Sequence, residues 1–355
     1  MYYLKIILAN LIIILTISSC LEIGARLQFP EFKNHIFSKN KSMNLTYHDG
    51  DFYGYQIRKP TAEPYQVRSL PLIVIIGDSI SGGYGTAFED IWWEKLRRIL
   101  KTANKNYEII SISSYGNNVG DAVAAVKKIA SNEQLKIERI IYQFNFNDIM
   151  PFQKIDLKKT VRTNKDFFQS IAKLRYQYFN HSVFLRTAQH YAGKLIRKTS
   201  GSCEERDIHA LGPYTWTYGS LPRLNESEIY WDSFKKNILS MQTASQNIGA
   251  DFEIFISPIL YDIDVIGIHP HYNYLNYDFS CASIDPRKEI ILFSKSIGVK
   301  VYDPHEALRG SFKKRIQEGN FSPYFFPADD NHFTPLASSY IAEEIAAEWS
   351  NRIEY

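Results

Sequence analysis

The sequence lacks an excess of charge of either sign. Its 355 residues carry 41 Lys and Arg against 38 Asp and Glu, which gives a formal net charge of +3. Proteins that bind nucleic acid usually concentrate positive charge, so nothing in the overall composition suggests such a partner. The chain also has no internal repeat and no low-complexity tract. Its length and its apolar fraction of 45% suffice for one large domain with additions.

Cysteine is scarce and occurs only at Cys20, Cys203 and Cys281. In an oxidising compartment, Cys203 and Cys281 could form a disulfide that joins an insertion, described below, to the main domain. Two unpaired thiols are an equally open alternative, because the sequence does not show how far apart the two residues lie.

The N-terminus lacks charge over a long stretch, since residues 6–19 carry none and are mostly Ile and Leu. Such a run is typical of a signal peptide or a membrane anchor. Lys5 precedes it, which favours a cytoplasmic N-terminus and an extracytoplasmic remainder, on the periplasmic or cell-surface side. No Ala-x-Ala cleavage site follows, so we expect residues 1–24 to form an uncleaved signal anchor. The alternative is a lipoprotein signal, because Ile17-Ser18-Ser19-Cys20 resembles a bacterial lipobox.

Strand and helix patterns alternate after residues 25–68, which we interpret as a linker and lead-in. Short apolar runs rich in β-branched residues predict strands buried on both faces at 70–77, 107–113, 139–144, 252–256 and 299–303. Helical periodicity predicts helices at 88–101, 121–130, 226–246, 287–295 and 335–349. The alternation predicts an α/β fold of three layers, with a parallel sheet of about five strands between helices.

Residues 150–225 interrupt this alternation. From Lys154 to Lys198 the chain is rich in Lys, Arg and aromatic residues, and Asp156 and Asp166 are its only acidic residues. The pattern predicts a helical insertion with a solvated basic face. A sharper alternative is a lid that lies against a membrane, or a surface for an anionic substrate.

Polar residues follow three of the predicted strands, and another polar group precedes the last helix. The four segments are Gly77-Asp78-Ser79, Ser114-Tyr115-Gly116-Asn117-Asn118, Asn145-Phe146-Asn147-Asp148 and Asp329-Asp330-Asn331-His332. Open α/β sheets bind ligands beyond the carboxyl ends of their strands, so a serine there is a plausible nucleophile. The glycine-rich turn after the first segment is no phosphate loop, because it lacks the terminal Gly-Lys-Ser/Thr.

These four blocks, in this order, resemble those of the SGNH, or GDSL-type, serine hydrolase superfamily of esterases and lipases. The resemblance covers about residues 69–352, apart from the insertion, and implies a flavodoxin-like sheet. The third block departs from the family pattern, which usually reads Gly-x-Asn-Asp: Asn145 stands where the family has glycine.

The resemblance implies a catalytic triad of Ser79 as nucleophile, His332 as base and Asp329 as the carboxylate that orients the base. Asp330 is the less favoured candidate for the third role. The implied oxyanion hole consists of the backbone N–H groups of Ser79 and Gly116 and the side chain of Asn147. Ser79 is also expected to begin a helix, whose N-terminus favours nearby negative charge. No cofactor and no metal ion is implied.

The sequence therefore predicts a membrane-tethered, extracytoplasmic serine esterase that hydrolyses carboxylic esters through an acyl-serine intermediate. By analogy, an O-acetylated carbohydrate is the expected substrate. One alternative is an O-acyltransferase that uses the same residues on a surface or exported polysaccharide. Another is a non-catalytic binding or assembly protein with the same fold. The expected partners are an acylated small molecule or carbohydrate, and the membrane through the N-terminal segment; the oligomeric state is not indicated.

Overall fold

The computed structural model describes residues 16–28, 48–52, 55–59, 70–83, 86–113, 117–132, 135–149, 227–258, 286–320 and 332–350, together with Phe184, Ile263, Ser322, Tyr324 and Phe325. Apart from Phe184, the predicted insertion at 150–225 lies outside these residues, as do Cys203 and Cys281.

The described strands are β1 (His48–Phe52), β2 (Tyr55–Lys59), β3 (Leu72–Gly77), β4 (Glu108–Ser113), β5 (Ile137–Phe144), β6 (Asp251–Ile256) and β7 (Lys300–Tyr302). The described α-helices of the domain are α1 (Trp92–Thr102), α2 (Val119–Ala130), α3 (Ser227–Gln246), α4 (Pro286–Ser296), α5 (His305–Gln317) and α6 (Pro335–Ser350). Short 3₁₀ helices lie at Phe88–Asp90 and Phe146–Ile149. Residues 16–28 are also helical.

The strands form one sheet in the order β1-β2-β4-β3-β5-β6-β7. Strands β3 to β7 are parallel, which confirms the predicted five-strand parallel sheet. Counted within the parallel part, their order is 2-1-3-4-5, which is that of flavodoxin-like sheets. In such sheets the direction of winding reverses between the first and the third parallel strand. Here that switch point lies between β3 and β5, so the residues that follow these two strands meet where such sheets bind ligands.

Helices cover both faces of the parallel sheet. Leu72, Val74 and Ile76 of β3 pack toward the layer that contains α2, α3 and α4. Ile73 and Ile75 of the same strand pack toward α1, α5 and α6. Successive side chains of a strand point to opposite faces, so a continuous apolar run fills both cores. The observed arrangement agrees with the predicted three layers.

Two elements were not predicted. The β1–β2 hairpin lies within the segment interpreted as a linker and lead-in, and it extends the sheet through an antiparallel pairing of Ile57 with Ile112. Helix α5 follows β7 directly, in a stretch for which no helix was predicted. Its buried Leu308 and Phe312 are four residues apart, so one face of the helix joins the core.

The helical residues 16–28 contact the domain at a few points. Ala25 is buried, and a carboxylate oxygen of Glu22 accepts a hydrogen bond from the backbone N–H of Phe184 at 3.1 Å. Four large apolar side chains are exposed, at Ile17, Leu21, Ile23 and Leu27. Across the described part of the chain, which begins at residue 16, no helix is both long and apolar enough to cross a membrane.

Candidate active site

The candidate nucleophile lies in a tight turn at the end of β3. A side chain at Gly77 would place its Cβ 2.6 Å from Oγ of Ser81 and 3.1 Å from Cβ of Gln143, so the turn requires glycine there. Asp78 then fixes the turn, because its Oδ1 accepts a hydrogen bond from the backbone N–H of Ile80 at 2.9 Å. Ser79 follows Asp78 and is 7% exposed.

The helix expected to begin at Ser79 is absent, and this expectation was wrong. Residues 79–83 form a hydrogen-bonded turn instead, in which the N–H of Gly82 donates to the carbonyl of Asp78 at 3.0 Å. Gly83 has a φ of 64°, a left-handed conformation that ends the helical path. The next α-helix, α1, begins only at Trp92.

Buried side chains hold this turn in place. The indole N–H of Trp93 donates to the carbonyl of Ser81 at 2.8 Å, and the hydroxyl of Ser111 on β4 donates to the same carbonyl at 3.2 Å. The hydroxyl of Ser81 donates to the carbonyl of Asp78 at 2.8 Å. Because these bonds tie the turn to both α1 and β4, Ser79 stands on a rigid support.

His332 reaches this turn from the other end of the chain. Its Nε2 lies 2.9 Å from Oγ of Ser79, within hydrogen-bond distance. Phe333 pairs with Phe325 through an isolated bridge, and the N–H of Thr334 donates to the carbonyl of Tyr324 at 2.9 Å. These bonds fix His332 just before α6, with its imidazole beside the hydroxyl of Ser79.

The nucleophile and histidine segments are also joined directly. The hydroxyl of Thr86, which is 2% exposed, donates to the carbonyl of Phe333 at 3.2 Å. This bond lies one residue from His332, so it helps to keep the imidazole facing Ser79.

The other predicted site residues are described in part or not at all. Asn147 lies in the 3₁₀ helix Phe146–Ile149 that follows β5, which brings its backbone to the same end of the sheet. Its side chain lies outside what the structure describes, and so do Gly116, Asp329 and Asp330. Their assigned roles stay predictions.

The third block makes buried contacts that the sequence did not indicate. Asn145 is 4% exposed, and its amide Nδ2 donates to Oδ2 of Asp78 at 2.9 Å. Its backbone N–H donates to Oδ2 of Asp148 at 2.8 Å. The hydroxyl of Tyr142 donates to the same oxygen at 2.7 Å. A buried polar network therefore connects β5 to the nucleophile turn.

Burial raises the pKa values of the acidic groups in this network. Burial first, and the neighbouring charge of Asp78 second, raise the pKa of Asp148 well above its usual value, and the two hydrogen bonds it accepts offset only part of this. Burial and the proximity of Asp148 raise the pKa of Tyr142 well above its ordinary value. Asp148 therefore favours its protonated form far more than an exposed carboxyl does.

Comparisons with known proteins give structural similarities only. No family model matches the chain, and no curated protein matches it. Similar solved structures include a member of the lipolytic protein G-D-S-L family from Veillonella parvula, with 14% identity over 79% of this chain and 99% of that one, and a TM-score of 0.37. The esterase EstA from Pseudoalteromonas sp. shows 12% identity over 80% and 99%, with a TM-score of 0.39.

A variant of Axe2, an acetyl-xylooligosaccharide esterase from Geobacillus, shows 12% identity over 78% of this chain and 93% of that one, with a TM-score of 0.40. The chain is thus similar in structure to a member of a lipolytic family and to two esterases.

Proposed function

We propose that the protein is a serine esterase that hydrolyses carboxylic esters through an acyl-serine intermediate. The observation that carries the proposal is the 2.9 Å separation between Oγ of Ser79 and Nε2 of His332 at the switch point of the sheet. A serine hydroxyl is a weak nucleophile until a base accepts its proton, and a histidine at this distance can do so.

The reaction follows the acyl-transfer pattern. Nε2 of His332 accepts the hydroxyl proton as Oγ of Ser79 bonds to the ester carbonyl carbon, which forms a tetrahedral oxyanion. The oxyanion collapses, the alkoxide leaves with the proton from His332, and the acyl group stays on Ser79. Water then repeats the sequence, and the carboxylic acid is released. Donors from the N–H of Ser79, the N–H of Gly116 and the side chain of Asn147 would stabilise both oxyanions.

Ser79→Ala tests the proposal most directly. The full-length protein is assayed on short acyl esters and on acetylated glycans, and is labelled with a serine-directed phosphonate. In the variant, ester hydrolysis and phosphonate labelling should each fall by on the order of 10⁴-fold or more, because nucleophile and base act as a unit. Ser296→Ala, which alters an exposed serine on α4, should leave both unchanged. Undiminished labelling of a folded Ser79→Ala variant would refute the proposal.

The third triad member is assigned to Asp329, which precedes His332 by three residues. Only the carboxylate that faces the imidazole can fix its tautomer and stabilise the imidazolium. Asp329→Asn should therefore lower kcat more than Asp330→Asn does. The reverse order, measured in folded variants, would move the role to Asp330 and leave Ser79 and His332 in place.

The substrate and location complete the proposal. We assign an O-acetylated carbohydrate as substrate and an extracytoplasmic domain held at the membrane by the N-terminal segment. The exposed Ile17, Leu21, Ile23 and Leu27 support contact with an apolar phase, since large apolar side chains in one helix are seldom left in water together. Membrane fractionation with externally added protease tests the location. Lipid labelling that depends on Cys20 would show a lipoprotein in place of an uncleaved anchor.

Product analysis distinguishes hydrolysis from transfer of the acyl group to a polysaccharide. The protein is given an acetyl ester together with a polysaccharide acceptor. Free acetate as the main product supports the esterase, whereas acetylated polysaccharide that depends on Ser79 would make the protein an acyltransferase.

A further inference from the structure

Asn145 makes a contact that the glycine usual in this position has no atoms to make. Its amide Nδ2 donates to Oδ2 of Asp78 at 2.9 Å. Asp78, the residue before Ser79, is 5% exposed, and Asn145 is 4% exposed. The bond therefore joins the nucleophile turn directly to the loop after β5, where little water is available to replace it. A hydrogen bond to a carboxylate in such surroundings is among the stronger ones in proteins.

The same residue also closes its own loop. The backbone N–H of Asn145 donates to Oδ2 of Asp148 at 2.8 Å, and the N–H of Asp148 donates back to the carbonyl of Asn145 at 2.9 Å. The hydroxyl of Tyr142 holds Asp148 to β5 at 2.7 Å. Asn147 lies inside this closed loop, so the bond between Asn145 and Asp78 links the loop that carries its backbone to the turn of Ser79.

The backbone itself does not demand asparagine here. Asn104 is the one non-glycine residue with a positive φ in the described ranges, so Asn145 has an ordinary backbone conformation. The side chain, and not the φ angle, distinguishes this position from the glycine of the resembling family.

We propose that Asn145 is a positioning residue that holds the loop of the oxyanion donor Asn147 against the nucleophile turn through its hydrogen bond to Asp78. This inference rests on the proposed function, because Asn145 acts through Ser79 and Asn147. An oxyanion hole stabilises the transition state only when its donors are correctly placed. Loss of the bond should therefore lower kcat and leave KM nearly unchanged.

An exchange of donor and acceptor tests the bond itself. Asn145→Asp turns two carboxylates toward each other at a buried site and should lower kcat tenfold to a hundredfold, on the order expected for a misplaced catalytic group. Adding Asp78→Asn restores one donor and one acceptor in reversed order. The new amide oxygen can still accept from the N–H of Ile80, as Oδ1 of Asp78 does now. The double variant should recover most of the lost kcat.

Asn145→Gly is the milder variant, because it introduces the residue that the resembling family usually has. We expect roughly tenfold lower kcat, a KM changed by less than about threefold, and slower phosphonate labelling of Ser79. Tyr302→Phe is the matched control. It removes a buried hydrogen bond of 2.7 Å to Glu253, on a strand that carries no candidate catalytic residue. It should lower the unfolding temperature without changing kcat.

The outcomes separate this inference from the proposed function. If wild-type activity depends on Ser79 but Asn145→Gly keeps kcat within about twofold, the inference fails alone. A folded double variant that recovers nothing also overturns it. If Asn145→Asp does not fold, Asn145→Gly decides. Labelling that persists in Ser79→Ala would instead remove the proposed function.

Discussion

Asp148, beside the candidate active site, and Glu253, in the first half of β6, are 5% and 2% exposed, but their surroundings differ. Glu253 forms an ion pair with Arg139 at 2.8 Å and accepts a hydrogen bond from the hydroxyl of Tyr302 at 2.7 Å. Asp148 has no ion-pair partner among the described residues and accepts its hydrogen bonds from Tyr142 and Asn145. Its burial is compensated by a raised pKa and not by a cation.

The difference follows from what each region must do. The Arg139–Glu253 pair connects β5, β6 and β7, and nothing in the proposed reaction develops charge beside it. The loop of Asp148 carries Asn147, the proposed oxyanion donor, and Asp78 already contributes a carboxylate there. A second ionised carboxylate would oppose the negative charge of the tetrahedral intermediate, whereas a protonated one does not. An ion pair such as Arg139–Glu253 can therefore be buried in the sheet away from the site. Beside the site, a protonated Asp148 avoids a second negative charge near the oxyanion.

Removal of the Arg139–Glu253 ion pair should have the largest effect on stability. Arg139→Met removes the cation from a buried carboxylate, which typically lowers the free energy of unfolding by about 3–5 kcal/mol. The kcat measured well below the unfolding temperature should not change, because no bond of this network reaches Ser79 or His332. Urea denaturation and steady-state kinetics measure the two effects.

The double variant Arg139→Met/Glu253→Gln is the control, since it leaves no unpaired charge. It should recover more than half of the lost stability. The guanidinium of Arg139 also lies 4.5 Å from the ring centre of Trp349. Equal losses in the single and double variants would mean that this packing, and not the charge, sets the effect.

The parallel sheet could be predicted from the sequence, whereas two other elements of the fold could not. The five parallel strands were predictable, because strands buried on both faces are continuous apolar runs such as Ile73 to Ile76. The β1–β2 hairpin was not, since its short strands are largely polar and Ile57 alone is described as buried. Helix α5 was missed because only two of its apolar residues, Leu308 and Phe312, are fully buried, within a strongly charged segment.

At the site, residue identity and order were enough to pair Ser79 with His332 over 253 residues of sequence. The role of Asn145 was missed, although its departure from the family pattern was a visible signal. The raised pKa of Asp148 had no signal in the sequence, because it depends on burial and on the approach of Asp78, which only the fold creates.

Replacement of a third carboxylate, Asp303, which lies just before α5, should lower stability less than replacement of Arg139 does. Burial alone would raise the pKa of Asp303, but hydrogen bonds from His305 and Arg287 outweigh it and lower the pKa to about 2. The folded-state pKa is thus below the unfolded value, so the stabilisation is present above pH 4 and is lost as the pH falls toward 2. Asp303→Asn should lower the free energy of unfolding by about 2 kcal/mol at neutral pH.

Unfolding measured at several pH values checks this prediction. The difference between wild type and Asp303→Asn should shrink as the pH falls below about 4, because the wild-type carboxylate then also becomes neutral. Glu306→Gln is the matched control. Its carboxylate also pairs with Arg287 but is 67% exposed, so the change should be under about 1 kcal/mol at every pH. A difference for Asp303→Asn that does not depend on pH would contradict the assignment.

The smallest effect is expected for Asp148→Asn, which tests whether Asp148 is protonated in the folded protein. The folded-state pKa of Asp148 lies above its unfolded value, so the native protein binds more protons than the unfolded chain between these two values. Wild-type stability therefore falls as the pH rises through this interval, by at most about 1.4 kcal/mol per pH unit for one proton. The amide of the variant can still accept the bonds from Tyr142 and Asn145, and it has no proton to lose. Relative to wild type, the variant should therefore gain stability as the pH rises above the unfolded value. Urea denaturation of both proteins across this range measures the gain. A difference that stays constant would mean that Asp148 is ionised in the folded protein, like a paired scaffold carboxylate, and the contrast with Glu253 would disappear.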